Sequence, residues 1–186
     1  MNARPGFLAT ELPDVALAPW MPTHREQLRA AADDVRIPVY MTDRFPHPYR
    51  IEDASEFIAS CLEHRPPRNY AVLVRGEVAG GVGGEQYGDI LVGTAEIGWW
   101  LAPEHWGRGI TTAVVRRFVR HCFENLGWRR VEAGVMGPNT ASARVAEKAG
   151  LRLETILSER YLKNGTIHDQ LTYGLTRNQW EAASGN

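Results

Sequence analysis

The sequence predicts an α+β fold: a mixed, mostly antiparallel central sheet flanked by helices. Three observations carry this. Most alternating apolar segments fall in neighbouring pairs joined by turn signals, among them Arg75–Glu77 around Gly76 and the hairpin triplet Lys163, Asn164, Gly165. A single strand–helix–strand unit sits mid-chain, made of Thr94–Leu101, a helix from Gly109 and Arg130–Met136. That helix is marked by Ile110, Val114, Val115, Phe118 and Val119, recurring mostly at helical spacing.

In chain order, the first residues to about Pro13 form a loose tail. Val15–Ala18 is a short strand that Pro19 ends. Thr23–Ala32 is a helix with Thr23 as its N-cap. Val35–Arg50 is irregular, rich in proline and aromatics, and serves as a packed loop or as the wall of a pocket. Ile51, Glu52 and Asp53 lead into a helix over Ala54–Leu62, with Ala54, Phe57, Ile58 and Cys61 on one face. Tyr70–Val74 and Val78–Glu85 pair as a hairpin, and Gly80, Gly81, Gly83 and Gly84 suggest a bulge or twist in the second strand. Gln86–Ile90 is a turn, and Thr94–Leu101 alternates Ala95, Ile97, Trp99 and Leu101 against Glu96, Gly98 and Trp100. The central helix runs to about Asn125, with Gly127 as its stop. Arg130–Met136 is a strand, Thr140–Ala149 a short helix closed by Gly150, Leu151–Tyr161 a strand with a bulge, and Ile167–Leu175 the last strand. Thr176–Asn186 trails off. The organisation is one domain over 1–186, with about 1–13 and 177–186 peripheral.

Bulk properties exclude several classes of function. A formal net charge of -1 gives no global basic field for nucleic acid or an anionic membrane. The two cysteines, Cys61 and Cys122, fall inside helical patterns and read as buried thiols of a cytoplasmic protein. Met1–Thr10 lacks the apolar run of a signal peptide, and no apolar stretch approaches membrane-span length. The six histidines are scattered without metal spacing. Arg116, Arg117, Arg120, Arg129 and Arg130 cluster in sequence and read mainly as a solvated surface.

The stretch Leu101–Arg120, LAPEHWGRGITTAVVRRFVR, carries the chemistry. A strand leads into a short loop with Gly107 and Gly109, which runs into a helix. The first helical turn has backbone N–H groups with no internal partner, and the helix dipole favours negative charge there. Gly107 and Gly109 also let an anion come close to the backbone. The dinucleotide fingerprint is absent, because Thr112 stands where its third glycine would fall.

Four segments together resemble the GNAT superfamily of N-acetyltransferases, and within it the ribosomal-protein alanine and serine N-terminal acetyltransferases. They are RFPHPYRIEDASEFI at Arg44–Ile58, AEIGWWLAPEHWGRGITTAVVRRFV at Ala95–Val119, NTASARVAEKAGLRLE at Asn139–Glu154 and YLKNGTIHDQLTYGL at Tyr161–Leu175. The resemblance implies the GNAT fold with splayed central strands, an acetyl-CoA (coenzyme A) donor and an amine acceptor. It places the diphosphate at Trp106, Gly107, Arg108, Gly109, Ile110 and Thr111, where only Gly109 keeps the family's pattern and Trp106 and Thr111 depart from it. Arg108 adds charge in this reading or is a solvated loop residue.

The same resemblance sets the pantetheine arm along the strand edge Trp99–Ala102, including Leu101. It sets Asn139 near the thioester, or else as a plain turn or helix cap. Ser142 orients the acetyl group or protonates the thiolate, or is an ordinary first-turn residue. Many relatives carry a tyrosine acid where this chain has Ala146, which excludes that route. A base is needed for the amine, and a carboxylate raised by burial would serve. Glu96 is the first candidate, with strand pairing as its structural alternative. Glu159 is the second, and Asp169 more naturally fixes the closing hairpin.

The resulting expectation is direct acetyl transfer to a primary amine, a protein N-terminus or a small amine, amino acid, polyamine or aminoglycoside. A non-catalytic acyl-CoA-binding regulator is the competing class. Trp99, Trp100, Tyr40, Phe45 and Tyr49 are either pocket or core. No metal, nucleic acid or membrane partner is expected, and exposed strands or the closing hairpin offer a route to a homodimer.

Overall fold

The computed structural model describes residues 6–185. The chain groups into two compact units. One holds the residues to Gly83 together with Trp99–Arg117, and the other holds Gly84–Gly98 and the residues from Phe118 onward. Met1–Pro5 of the expected N-terminal tail, and Asn186, lie outside the described residues.

The first unit contains β1 (Leu8–Ala9), β2 (Val15–Pro19), α1 (Arg25–Ala32), α2 (Ile51–Leu62), β3 (Asn69–Val74) and most of β4 (Glu77–Gln86). Its strands pair antiparallel, with Leu8 opposite Leu17, Val15 opposite Val74 and Asn69 opposite Gly83. The tail expected to be loose thus adds a strand at Leu8–Ala9. The helices cover a core of Ala18, Trp20, Leu28, Tyr49, Ala54, Ile58 and Leu73. α1 starts later than Thr23. Pro22–His24 forms a 3-10 turn because proline presets φ at its first position, and His24 Nδ1 takes the Met21 N–H at 3.3 Å.

The glycine-rich strand β4 does carry a bulge. Val72 pairs with Gly80 and Leu73 with Val78, so Ala79 is the extra residue. The glycines themselves serve close approach. A Cβ on Gly80 would sit 2.4 Å from the Trp100 carbonyl oxygen, and one on Gly81 would sit 2.7 Å from Trp100 Nε1.

The second unit contains most of β5 (Thr94–Leu101) and the C-terminal part of α3 (Ile110–Glu124) from Phe118, with β6 (Arg130–Met136), α4 (Thr140–Lys148), β7 (Arg152–Lys163) and β8 (Thr166–Thr176). β5 and β6 are parallel, and β6, β8 and β7 follow antiparallel, so β8 lies between β6 and β7. The strand order is β1-β2-β3-β4 in the first unit and β5-β6-β8-β7 in the second, mixed and mostly antiparallel as the sequence predicts. Phe118, Val119, Phe123, Trp128, Val131, Leu151, Tyr173 and Leu175 are buried in this unit. Gly127 takes a positive φ of 71°, and the Trp128 N–H closes α3 on the Cys122 carbonyl at 3.0 Å.

The C-terminal segment does not trail off. It forms α5 (Arg177–Ser184), whose cap is built from sequence: Thr176 Oγ1 accepts the Gln179 N–H, and Gln179 Oε1 accepts the Thr176 N–H at 2.9 Å. Arg177 donates to the Phe123 carbonyl at 2.5 Å and to the Trp128 carbonyl at 3.0 Å, and Trp180 packs on Phe123. Among the described residues no helix is long and apolar enough to cross a membrane.

Candidate active site

The anion loop of the first unit has the geometry its sequence implies. Gly107 and Gly109 hold φ of 74° and 75°, the left-handed region that disfavours any residue with a Cβ. A Cβ at either position would meet nothing within 4 Å, so conformation is what requires glycine here and the space beside both is open. The first intrahelical bond runs from the Ala113 N–H to the Gly109 carbonyl at 3.1 Å. The N–H groups of Ile110, Thr111 and Thr112 therefore precede the ladder, with no other protein acceptor among the described residues. This is a donor cluster suited to a diphosphate. Arg108 is exposed on the loop, Thr111 is half-buried and Ile110 is buried. Arg108 also borders an open cavity of about 660 Å³ lined by Asp14, Gln27, Ala31, Val78 and His105.

The loop is braced from behind. Trp106 Nε1 donates to the Leu101 carbonyl at 2.7 Å, so one acceptor of the expected strand edge already has a protein donor. The Ala102 N–H is likewise taken by the Ala79 carbonyl at 2.8 Å. Arg36 lies over the Trp106 ring with its guanidinium carbon 5.9 Å from the centroid. Asp34 fixes that guanidinium through contacts of 2.9 and 2.6 Å, and these hydrogen bonds to Arg36 draw the Asp34 carboxyl down to about 2. Sequence reading misses Arg36, since the irregular segment from Val35 gives no pattern to place it.

In the second unit, β5 and β6 pair only as Thr94–Arg130, Ala95–Val131 and Glu96–Glu132, although both strands run on. The ladder therefore stops at Glu96, leaving the next residues of the two strands unpaired with each other. Glu96 itself is exposed rather than buried, and Tyr87 Oη donates to its Oε2 at 3.5 Å. Asn139 is the N-cap of α4, with Oδ1 accepting the Ser142 N–H at 3.1 Å, so the capping alternative is realised. Its side-chain amide N–H groups remain outside that bond. Ser142 is half-buried in the first turn of α4, and Ala146 is fully buried in the same helix.

Glu159 holds a φ of 53° within the β7 bulge, and its N–H donates to Asp169 Oδ1 at 2.9 Å. Asp169 thus fixes the hairpin, as expected. The structure uses the backbone of Glu159 for this contact, and the side chain is exposed.

The remaining candidates sort by burial. Tyr49 is core, Phe45 packs on Tyr49 and Trp100, and Tyr40 is exposed. Trp99 is half-buried. Both cysteines are buried, and burial pushes the Cys61 thiol up to about 12 and the Cys122 thiol well above its usual range. Neither suits a nucleophile. No group of three metal-ligating side chains occurs among the described residues.

Fold and loop together define an α+β protein with a cluster of uncommitted backbone N–H donors at the head of its central helix. A family model described as "Acetyltransferase (GNAT) domain" matches residues 14–152. The chain belongs to the GNAT acetyltransferase family. It is 37% identical over 87 residues to YdaF of Bacillus subtilis (strain 168), named as a "putative ribosomal N-acetyltransferase", covering 47% of this chain and 48% of that protein. The alignments span about half the length of the curated relatives.

Among solved structures, RimJ of Mycobacterium smegmatis in complex with a CoA disulfide superposes with a TM-score of 0.82 at 23% identity, covering 97% of this chain and 95% of that one. RimL, a ribosomal L7/L12 α-N-protein acetyltransferase in complex with coenzyme A, gives 0.81 at 20% identity, covering 91% and 97%. At these identities the two structures speak to the fold.

Proposed function

We propose that the protein is an N-acetyltransferase that moves an acetyl group from acetyl-CoA to a primary amine, with a protein N-terminus as the preferred acceptor. The observation that carries the reading is the left-handed Gly107–Gly109 loop at the head of α3, with its uncommitted N–H groups on Ile110, Thr111 and Thr112. The family match and the name of YdaF support it.

In this reading those amides and Arg108 hold the diphosphate. Trp99, Leu101 and Trp106 line the arm, and Asn139 keeps its amide N–H groups for it. The donor supplies an activated thioester carbonyl. Glu96 accepts the proton of the incoming ammonium, directly or through water. An N-terminal amine titrates near about 7.7–8.0, so a surface carboxylate suffices when a water relays the proton. In the same reading Ser142 hydrogen-bonds the departing sulfur. Glu159 acts through its backbone at the bulge, and its carboxylate is not assigned the proton.

The test is a thioester-consumption screen with the full chain against peptides of varied first residue, small amines, polyamines and aminoglycosides. Amine-dependent release of free coenzyme A supports the enzyme. Acetyl-CoA binding without release for any amine would establish the non-catalytic regulator instead. Glu96→Gln should lower turnover and flatten the rise of rate with pH, and an unchanged profile would remove Glu96 from the role.

A further inference from the structure

The open face of the second unit's sheet sets beside Glu96 two phenols, Tyr87 and Tyr161, that the transfer chemistry leaves unused. Glu96 and Glu132 are direct partners across the parallel ladder, so both side chains lie on one face. Their electrostatic situations differ. Arg130 meets Glu132 at 2.6 Å and also forks onto Glu154, with one contact at 3.0 Å. Glu96 has no Lys, Arg or His at ion-pair distance among the described residues, and its one hydrogen bond comes from Tyr87.

A second phenol reaches the same face. Gly134 follows Glu132 by two residues and therefore points the same way. A Cβ there would lie 2.9 Å from Tyr161 Oη and 3.0 Å from Gln170 Nε2, so the missing side chain is what lets the Tyr161 hydroxyl settle onto the sheet.

The bulge delivers that tyrosine. Pairing steps from Leu157 opposite Gln170 to Tyr161 opposite His168, four residues of β7 against two of β8. Asp169 locks the step by accepting the Glu159 N–H. Tyr161 is half-buried, and its hydroxyl has no hydrogen-bond partner among the described residues. Burial first, and then the Glu96 charge, raise both Tyr87 and Tyr161 above the usual phenol range, so both stay neutral.

We propose that Glu96, Tyr87 and Tyr161 form a receptor for the acceptor's ammonium group, and that the two tyrosines are specificity-determining residues that select a cationic head group before its proton is removed. An uncompensated carboxylate supplies charge, two phenols supply ring faces and oxygens, and the Tyr161 oxygen is free to accept from an N–H⁺. The inference rests on the acetyltransferase reading for the identity of its ligand as the acceptor, but the cation site itself can be tested without turnover.

The experiment measures binding of alaninamide by two-dimensional NMR at pH 6, where the amine is charged, with N-acetylalaninamide as the neutral control. Tetramethylammonium serves as a cation that cannot be acetylated. Alaninamide and tetramethylammonium should compete, and the neutral control should not bind. Tyr161→Leu should weaken both cations about 3- to 30-fold, and Tyr161→Phe should cost alaninamide more than tetramethylammonium because only the former donates to the lost oxygen. Gly134→Ala, whose neighbours are flexible side-chain ends, should displace Tyr161 and mimic its loss. Each variant should keep the wild-type dissociation constant for acetyl-CoA and the wild-type melting temperature within error.

Equal binding of the neutral and charged probes, no cation binding by wild type, or wild-type cation affinity in Tyr161→Leu would each overturn the proposal. Failure of acetyl-CoA to bind wild type, with the cation data intact, would strike the acetyltransferase reading alone.

Discussion

Replacing Gly109 by alanine tests the loop on which the functional reading depends. Gly109 sits at φ 75° with open space beside it, so an added methyl clashes with nothing and the whole penalty is conformational. Holding an L-residue in the left-handed region costs about 1–2 kcal/mol. For a chain of this size each kcal/mol lowers the melting temperature by about 2–4 °C, so Gly109→Ala should melt about 2–8 °C lower if the loop keeps its shape. If instead the substituted backbone relaxes to negative φ, stability recovers but the first-turn N–H groups swing away. A hydrogen bond to a charged group contributes about 1.5–3 kcal/mol, so losing one should weaken acetyl-CoA about 10- to 150-fold.

Calorimetric melting and titration with acetyl-CoA measure both limbs. Gly88→Ala is the control, because Gly88 has equally open space but a φ of -94°. Gly109→Asn should retain most of the stability, since asparagine enters the left-handed region far more readily than alanine. Gly109→Ala behaving like Gly88→Ala in both measurements would refute the claim that the left-handed turn shapes the anion site.

Trp106→Phe removes the donor to the Leu101 carbonyl, and at about 0.5–1.5 kcal/mol for the bond it should lower the melting temperature by a few degrees, read by the same calorimetry. A Trp106→Phe protein as stable as wild type would show that water replaces the indole donor without cost. Iodoacetamide at pH 8 should leave the folded protein unmodified by mass spectrometry while urea exposes both thiols, because a thiol near 12 is ionised in only about one molecule in ten thousand. Fast native labelling of Cys61 would contradict its burial.

Glu154 is held below the usual carboxylate range, first by its hydrogen bond to Arg130, so its folded value is depressed and its contribution to stability is present above the unfolded value near about 4.3. Urea melts of wild type and Glu154→Gln should therefore differ at pH 7 and converge as pH falls through the lower folded value. A gap that persists in acid would assign the effect to packing.

The strand–helix–strand unit is legible because each element satisfies two signals at once. Thr94–Leu101 and Arg130–Met136 alternate cleanly and end at turn residues, and the structure has both strands at those bounds. The errors fall where local chemistry overrides period. Pro22 converts the expected first turn of α1 into a 3-10 turn and moves the cap from Thr23. The final helix escapes sequence reading although Thr176 and Gln179 spell a capping box, because its anchor is the tertiary contact of Arg177 and Trp180 with the end of α3. The glycines of β4 read as a bulge or twist, and the bulge is present at Ala79, but that reading does not show that Gly80 and Gly81 also admit Trp100 and Gly84 admits Trp128, residues far away in sequence.

The candidate site divides along the same line. The anion loop is local: two glycines and a helix start, all within a few residues, so sequence alone can place the donors. Tyr161 cannot be placed that way. Its position depends on a two-residue register slip at Glu159, on the carboxylate of Asp169 ten residues later, and on the absent Cβ of Gly134 in another strand. Tyr87 lies in a stretch that reads only as a turn, yet its hydroxyl faces Glu96. Backbone donors for an anion follow from helix geometry, which every chain with that local pattern shares. A receptor for a particular amine needs side chains converging from β5, β7 and the turn after β4, and convergence is a property of strand register. If donor recognition is local and acceptor recognition is assembled, point changes in the hairpin should alter which amine binds while leaving the Gly107–Gly109 loop and its ligand untouched.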